Sequence, residues 1–284
     1  MNHVIVTMPS AEIRKISRRL LSGNWGKVFL GMFLAIVMMD MIPQFFEACI
    51  PFGKITQYNE ALGINQNYSV IAYFYRIFFN GVFTAGICSF FLSFVRMRDI
   101  NPGYVFNGFE YYLKTLGLML VTGIFIVLWS LLLIVPGIIA ALRYSQAFYI
   151  LADDPGKGIM QCINESKARM QGNKAKFFCL TLSFIGWIIL AAIPSGVLGG
   201  ILGATGMING ANVAAATMAI TSSVPGFIAT FIGTIPMAFA MLYLSTAETV
   251  FYEIITEHMV FRRPEEQAQE SALLTDMEER KDTL

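Results

Sequence analysis

Asp40 and Arg143 are the residues of this sequence with the most demanding chemistry. Each stands inside an apolar run, in "FLGMFLAIVMMDMIPQFF" and "LLIVPGIIAALRYSQ". An ionisable side chain at membrane depth costs about 2.5–3.5 kcal/mol or more unless it is paired or wetted, so each is a candidate for function. At 1.5 Å per residue, Asp40 lies about 20 Å along a helix that starts near Lys27, and Arg143 about 10 Å along one that starts after Gly137 from the opposite surface. The two can meet at one level as an ion pair that offsets the cost of each. Such a pair is either a structural contact or part of a polar site lining a cavity. Glu47 and Arg76 fall near the outer boundary, and Glu248 and Glu253 at the inner end of the last apolar run.

A second chemistry is electrostatic. The stretch "DDPGKGIMQCINESKARMQGNKAKFF" carries Lys167, Arg169, Lys174 and Lys176, which are candidate contacts for lipid head groups. Basic side chains near an anionic surface contribute about 1 kcal/mol each. Ser166 and Asn173 stand among them and invite a head-group reading too; the alternative is that the whole segment only anchors the neighbouring spans. Conventional catalytic chemistry is missing. There is no phosphate-binding glycine loop, no dinucleotide fingerprint, no HExxH and no GxSxG. An enzyme is not expected, nor a cofactor, a metal site or nucleic-acid binding. The four cysteines, Cys49, Cys88, Cys162 and Cys179, form no CxxC pair.

The elements that must hold these residues follow from composition. Of 284 residues 56% are hydrophobic and only 14% charged, against about 25% charged in soluble domains. Phe177 to Ala247 contains no Asp, Glu, Lys or Arg. That length of chain without a solvated face marks an all-α polytopic membrane protein. Six spans are expected, at about 28–46, 77–95, 116–135, 138–152, 177–193 and 226–248. Lys and Arg cluster in the N-terminal segment, after span two, between Asp153 and Lys176, and near the C-terminus, which places those segments and both termini in the cytoplasm. The basic segments on either side of Leu116–Ala152 require an even number of crossings between them. Pro136-Gly137 would then be the outer turn of a helical hairpin, with a re-entrant 138–152 as the alternative.

Two interfacial amphipathic helices are expected, over 10–22 and 155–172. In the first, Ser10 can cap a helix with Ile13, Ile16 and Leu20 on one face. In the second, Asp154 can cap and Pro155 can open the helix. Ile159, Ile163 and Met170 share a face, Glu165 can pair with Arg169, and Gly172 can end the helix. "SRRLLSGNWGKVF" from Ser17 aligns without a gap on "SKARMQGNKAKFF" from Ser166. Ser, Gly, Asn, Lys and Phe coincide, and Arg18 aligns with Lys167. "NPGYVFNGFEYYLK" is a looser third version, so the chain reads as three hairpins, each introduced by an interfacial segment. Gly196/Gly200 and Gly199/Gly203 stand at the spacing that permits close helix approach. Residues 264–284 read as a polar, mostly disordered cytoplasmic tail.

Several stretches resemble a known family: "LSGNWGKVFLG", "NGFEYYLKTLGLML", "LWSLLLIVPGIIAALRYSQAFYILADDP", "NESKARMQGNKAKFFCLTLSFIGW" and "AETVFYEII". Together they are similar to the bacterial integral-membrane proteins of domain-of-unknown-function family 975. More distantly, they are similar to the membrane domain of some glycerophosphodiester phosphodiesterases. The resemblance implies a multi-pass protein of a bacterial plasma membrane and supplies no activity or site residue. The function expected is non-catalytic association with the lipid bilayer, anionic lipids among it, or with a membrane-protein partner or second copy. The alternative is a small transporter using a polar site near Asp40 and Arg143.

Overall fold

The computed structural model describes residues 4–49, 54–59, 64–204 and 224–258. The tail 264–284 and the 205–223 part of the glycine-rich outer stretch lie outside the described residues. Helix α1 spans Ser10–Leu21 and α2 Trp25–Ile36. A π-helical turn, Val37–Met41, joins α2 to α3 (Ile42–Cys49), and strands β1 (Lys54–Asn59) and β2 (Ile64–Ser69) follow. Then come α4 (Val70–Met97), a 3-10 segment (Pro102–Phe109), α5 (Tyr112–Leu132), α6 (Ile134–Tyr144) and α7 (Ala147–Asp153). The chain continues through α8 (Ile159–Arg169), α9 (Lys174–Leu182), α10 (Ile185–Ala204) and α11 (Val224–Ile255).

Six segments are long and apolar enough to cross a membrane: Trp25–Glu47, Val70–Met97, Tyr112–Leu132, Ile134–Asp153, Lys174–Pro194 and Gly233–Ile255. The protein is an all-α polytopic membrane protein. Its one described sheet is an addition to that reading, a two-stranded antiparallel hairpin in which Lys54 pairs with Ser69 and Asn59 with Ile64. Ser69 then opens α4, its Oγ accepting the Ala72 N–H at 3.4 Å. α5 is apolar all round and buries only Thr115, Leu118 and Thr122, so most of its surface is left for lipid. α11 is central, packing against α1, α2, α3, α4, α9 and α10.

The third and fourth segments form the expected hairpin, but its turn is not at Pro136-Gly137. The chain reverses at Leu133, in extended conformation, and α6 runs on through both residues. Pro136 falls in the first turn of α6, where a missing N–H costs no helical bond. A Cβ on Gly137 would overlap Ser130, so glycine there lets α6 lie close against α5. The fourth segment breaks at Ser145-Gln146, between α6 and α7.

Most of the deeply buried side chains gather at the end of the bundle where α1 and α8 sit, here termed the basic end. Phe90, Phe94, Ile150, Leu151, Ile163 and Phe251 are all within it and fully enclosed. The two short helices differ from the interfacial reading in what covers them. α1 buries Ile13, Ser17, Leu20 and Leu21, and α8 buries Cys162, Ile163, Glu165 and Ser166. Those faces are covered by protein: α1 packs against α11 and α9, and α8 against α5, α6 and α7. α1 begins at Ser10 with Pro9 in the cap position, so Ser10 is the first helical residue rather than the cap. α8 begins only at Ile159. Asp154 instead closes a turn, its Oδ1 accepting the Gly156 N–H at 3.0 Å.

The internal alignment has a structural counterpart. Gly23 and Gly172 are both left-handed, with φ of 82° and 75°, a conformation that glycine adopts without steric cost. Asn24 donates its N–H to the Leu21 carbonyl and Asn173 to that of Met170; in turn the Asn24 carbonyl accepts from Val28 and the Asn173 carbonyl from Phe177. Each pair of bonds falls on aligned positions. Ser17 and Ser166 are both fully buried. The longest helix after each start, α4 and α11, is followed by a left-handed non-glycine residue, Arg98 at φ 57° and Glu257 at φ 60°. The chain therefore carries two copies of one unit, from α1 to α4 and from α8 to α11, with the α5–α7 hairpin between them. Both units run in the same direction through the bundle.

Candidate functional site

Asp40 sits in the π-helical turn. The extra residue of such a turn displaces the helical bonds and frees backbone groups, and these turns recur at functional sites. Tyr75 of α4 answers it by donating its hydroxyl to the Met38 carbonyl at 2.8 Å. Asp40, Gln44 and Glu47 then face Arg76 of α4 and Thr234 of α11 across a cavity of about 280 Å³. Arg76 Nη1 donates to Glu47 Oε1 at 3.1 Å. Asp40 makes no ion pair within 4 Å among the described residues, and Arg76 is its nearest opposite charge.

Arg143 is not there, and the Asp40–Arg143 pair expected from depth counting is not formed. The Arg143 carbonyl accepts the Ser166 hydroxyl of α8 at 2.8 Å. Lys167 of α8 lies over the rings of Tyr144 and Phe125, at 5.7 and 5.8 Å from their centroids. These contacts tie the last turn of α6 to the basic end, whereas Asp40 lies with Arg76 near the opposite end of α4. Depth counting along isolated spans ignored which helices are neighbours, and the turn at Leu133 moved the starting point as well.

The basic residues of the α8–α9 region divide into two kinds. Arg169 is consumed internally: Nη2 donates to Glu165 Oε1 at 2.6 Å, and Nη1 to the Ile255 carbonyl at 3.4 Å. Lys157 takes the other oxygen of Glu165 at 2.9 Å. Lys167 is engaged with the two rings. Lys174 and Lys176 have no carboxylate within 4 Å among the described residues. Ser166 and Asn173, which invited a head-group reading, are fully buried and spent on the fold. Asn173 accepts the Val6 N–H at 2.8 Å and donates to the Val4 carbonyl at 2.7 Å, pinning the N-terminal segment onto the second unit.

Burial alone would raise the Glu165 carboxyl, but hydrogen bonds from Lys157 and Arg169, reinforced by their charges, outweigh it and hold the group below its ordinary 4.5. A carboxylate held low contributes stability that is complete above its unfolded value and is lost as pH falls through its folded one. The protein is therefore expected to lose thermal stability as pH drops below 4.5. Glu165→Gln should melt lower at neutral pH and show a shallower acid limb. Parallel limbs in the two proteins would show that Glu165 is not the titrating group.

A polar knot that sequence reasoning missed lies at the basic end. Arg96, in the last turn of α4, donates through Nε to Glu253 Oε1 of α11 at 2.9 Å, and its Nη2 lies 2.8 Å from the same oxygen as an ion pair. Its Nη1 donates to Asp153 Oδ1 at the end of α7, at 2.5 Å. Tyr252 donates its hydroxyl to Asp153 Oδ2 at 3.0 Å, and His258 Nδ1 stands 2.9 Å from Arg96 Nη2. One guanidinium thus joins the ends of three membrane-capable segments. Its signal was present in the sequence, since Arg96, Asp153 and Glu253 each stand in the closing turns of an apolar run.

Among the described residues no group of three His, Cys, Asp or Glu side chains could hold a metal ion. The class the architecture defines is a polytopic helical membrane protein with a tandem repeat and a compact charged end. The model of the family described as Protein of unknown function (DUF975) matches twice, over residues 8–141 and 130–259, and the chain belongs to that family. The two matches fall on the two structural units and overlap in the hairpin between them. No curated protein and no solved structure matches the chain.

Proposed function

We propose that the protein is a non-catalytic component of a bacterial plasma membrane, with both termini cytoplasmic, whose basic end associates with anionic lipid head groups. The observation that carries this reading is the division of the charges. Arg96, Lys157 and Arg169 are spent on internal ion pairs. Lys174 and Lys176 of one unit, and Arg14, Lys15, Arg18, Arg19 and Lys27 of the other, make no ion pair within 4 Å among the described residues. The two units thereby bring their unpaired cations to one end, at the start of a membrane-capable segment in each, where side chains of this length reach phosphate level. Arg169 no longer belongs among the head-group candidates, because its charge is met by Glu165.

The test is lipid retention. Lys174→Gln with Lys176→Gln removes about 2 kcal/mol of attraction to an anionic surface, which corresponds to roughly 30-fold weaker binding. Native mass spectrometry of the protein in mild detergent should show phosphatidylglycerol adducts on the wild type and few on the double variant. Equal adducts on both would mean that these lysines only anchor the spans. A membrane-protein partner or second copy that copurifies in place of lipid would redirect the proposal to protein association.

A second reading, passage of a solute, is favoured by one observation. The first membrane-capable segment of each unit is interrupted, by the π-turn at Val37–Met41 in one and by the break at Ser183-Phe184 with Pro194 in the other. Interrupted helices in corresponding positions of two repeats are a mark of solute-binding membrane proteins. In this reading the polar site is Asp40 with Arg76 and Glu47, not with Arg143.

A further inference from the structure

We propose that the cavity between α2–α3, α4 and α11 binds a small organic ammonium ion, held by the Asp40 carboxylate. The inference rests on the second reading only for the place of the ligand, and it concerns binding rather than transport. The charges that line the cavity do not balance: Asp40 and Glu47 are acidic, Arg76 is the one base among the lining residues, and Arg76 is already bonded to Glu47 at 3.1 Å. A carboxylate at this depth needs a counter-charge, and Asp40 is one of the residues that line the cavity. Arg76 gives its close ion pair to Glu47 and makes none within 4 Å with Asp40 among the described residues, so the lining keeps a net negative charge beside Asp40 for a cation to meet.

Size and lining choose the class. At about 30 Å³ per water, 280 Å³ is room for on the order of nine waters, far more than a dehydrated sodium or potassium ion fills. Ile36, Met41 and Met237 make up the rest of the wall. An apolar and thioether surface matches the methyl and methylene groups of an alkylammonium ion; of the two carboxylates, Glu47 is engaged by Arg76, and among the described residues no group of three His, Cys, Asp or Glu could hold a metal ion. Gln44 and Thr234 add polar edges on α3 and α11.

The test is isothermal titration of choline chloride and of n-butylammonium chloride into the full chain in nanodiscs, with sodium and potassium chloride as competitors at constant ionic strength. Saturable binding of either amine is expected, weakened by about tenfold or more in Asp40→Asn. Glu47→Gln is expected to weaken it as well, because the released Arg76 can then turn onto Asp40; this variant also carries the test should Asp40→Asn not fold. Binding of neither amine overturns the proposal, as does equal binding by wild type and both folded variants, or equal displacement by potassium. Saturable binding of sodium acetate in their place would make the cavity an anion site of Arg76 and overturn it too. Because the readout is equilibrium binding, a protein that binds the amine but shows no flux in liposomes would fail the transport reading alone.

Discussion

Replacing Arg96 by methionine is expected to lower stability by about 3–5 kcal/mol, the range for removing one partner of a buried charge pair. The size follows from what is left behind. The Glu253 side chain is 1% exposed, and its Oε1 accepts from Nε of Arg96 and lies 2.8 Å from Nη2. Without the guanidinium it faces only His258, whose Nδ1 is 3.8 Å from the other oxygen. Asp153 suffers less, since it keeps the Tyr252 hydroxyl at 3.0 Å. The measurement is the melting temperature in detergent, together with the yield of monodisperse protein. Arg96→Met combined with Glu253→Gln should recover a large part of the loss, because the stranded charge is then gone. A single variant that melts with the wild type would mean that the ends of α4, α7 and α11 are held by packing alone.

Substituting Gly86 by alanine should be nearly as damaging without any change of charge. The 3-10 segment Pro102–Phe109 folds back along α4 so closely that a Cβ on Gly86 would overlap the Val105 carbonyl, and one on Gly108 would overlap that of Val82. The atoms in the way are backbone on both sides, so no rotamer change relieves them. Overpacking of this kind typically costs about 1–3 kcal/mol, occasionally more. Asn107, whose Nδ2 donates to Ser89 Oγ at 2.9 Å, would be pulled from its partner as the segment lifts. Gly196→Ala is the matched control: it lies in α10 with open space around it among the described residues, so it should stay within about 0.5 kcal/mol of wild type. Equal effects at the two glycines would contradict the close docking of the 3-10 segment.

The open space at Gly196 also bears on the GxxxG reading. Spacing alone marks where helices can approach: Gly196 has no atom within 4 Å of an added Cβ among the described residues, while Gly86 and Gly108, outside any such motif, are tightly packed. The same gap between permission and use appears at Pro136-Gly137. Residue type allowed a turn there, but the chain turned at Leu133, because a proline in a first turn is as acceptable as a proline before it. Ser166 and Asn173 show the converse. Their repetition in the sequence did report a constraint, and the constraint is burial in the fold rather than contact with lipid.

What the sequence by itself determined is the class and the plan. The long uncharged stretch, the six apolar runs, the basic clusters and the Ser…Gly-Asn…Lys…Phe repeat are one-dimensional properties, and hydrocarbon solvent reads them directly along the chain. What only the tertiary structure decided is the pairing of charges. Asp40 went to the side of Arg76 and not of Arg143, Arg169 to Glu165 and the Ile255 carbonyl, and Arg96 to Glu253 and Asp153. Those two partners lie 157 and 57 residues away from Arg96, respectively. The physical reason is that depth in a membrane constrains only the coordinate along each helix. Which helices stand side by side, and which faces they turn to one another, is set by side-chain packing such as the glycine contacts of α4, and hydropathy carries no record of it.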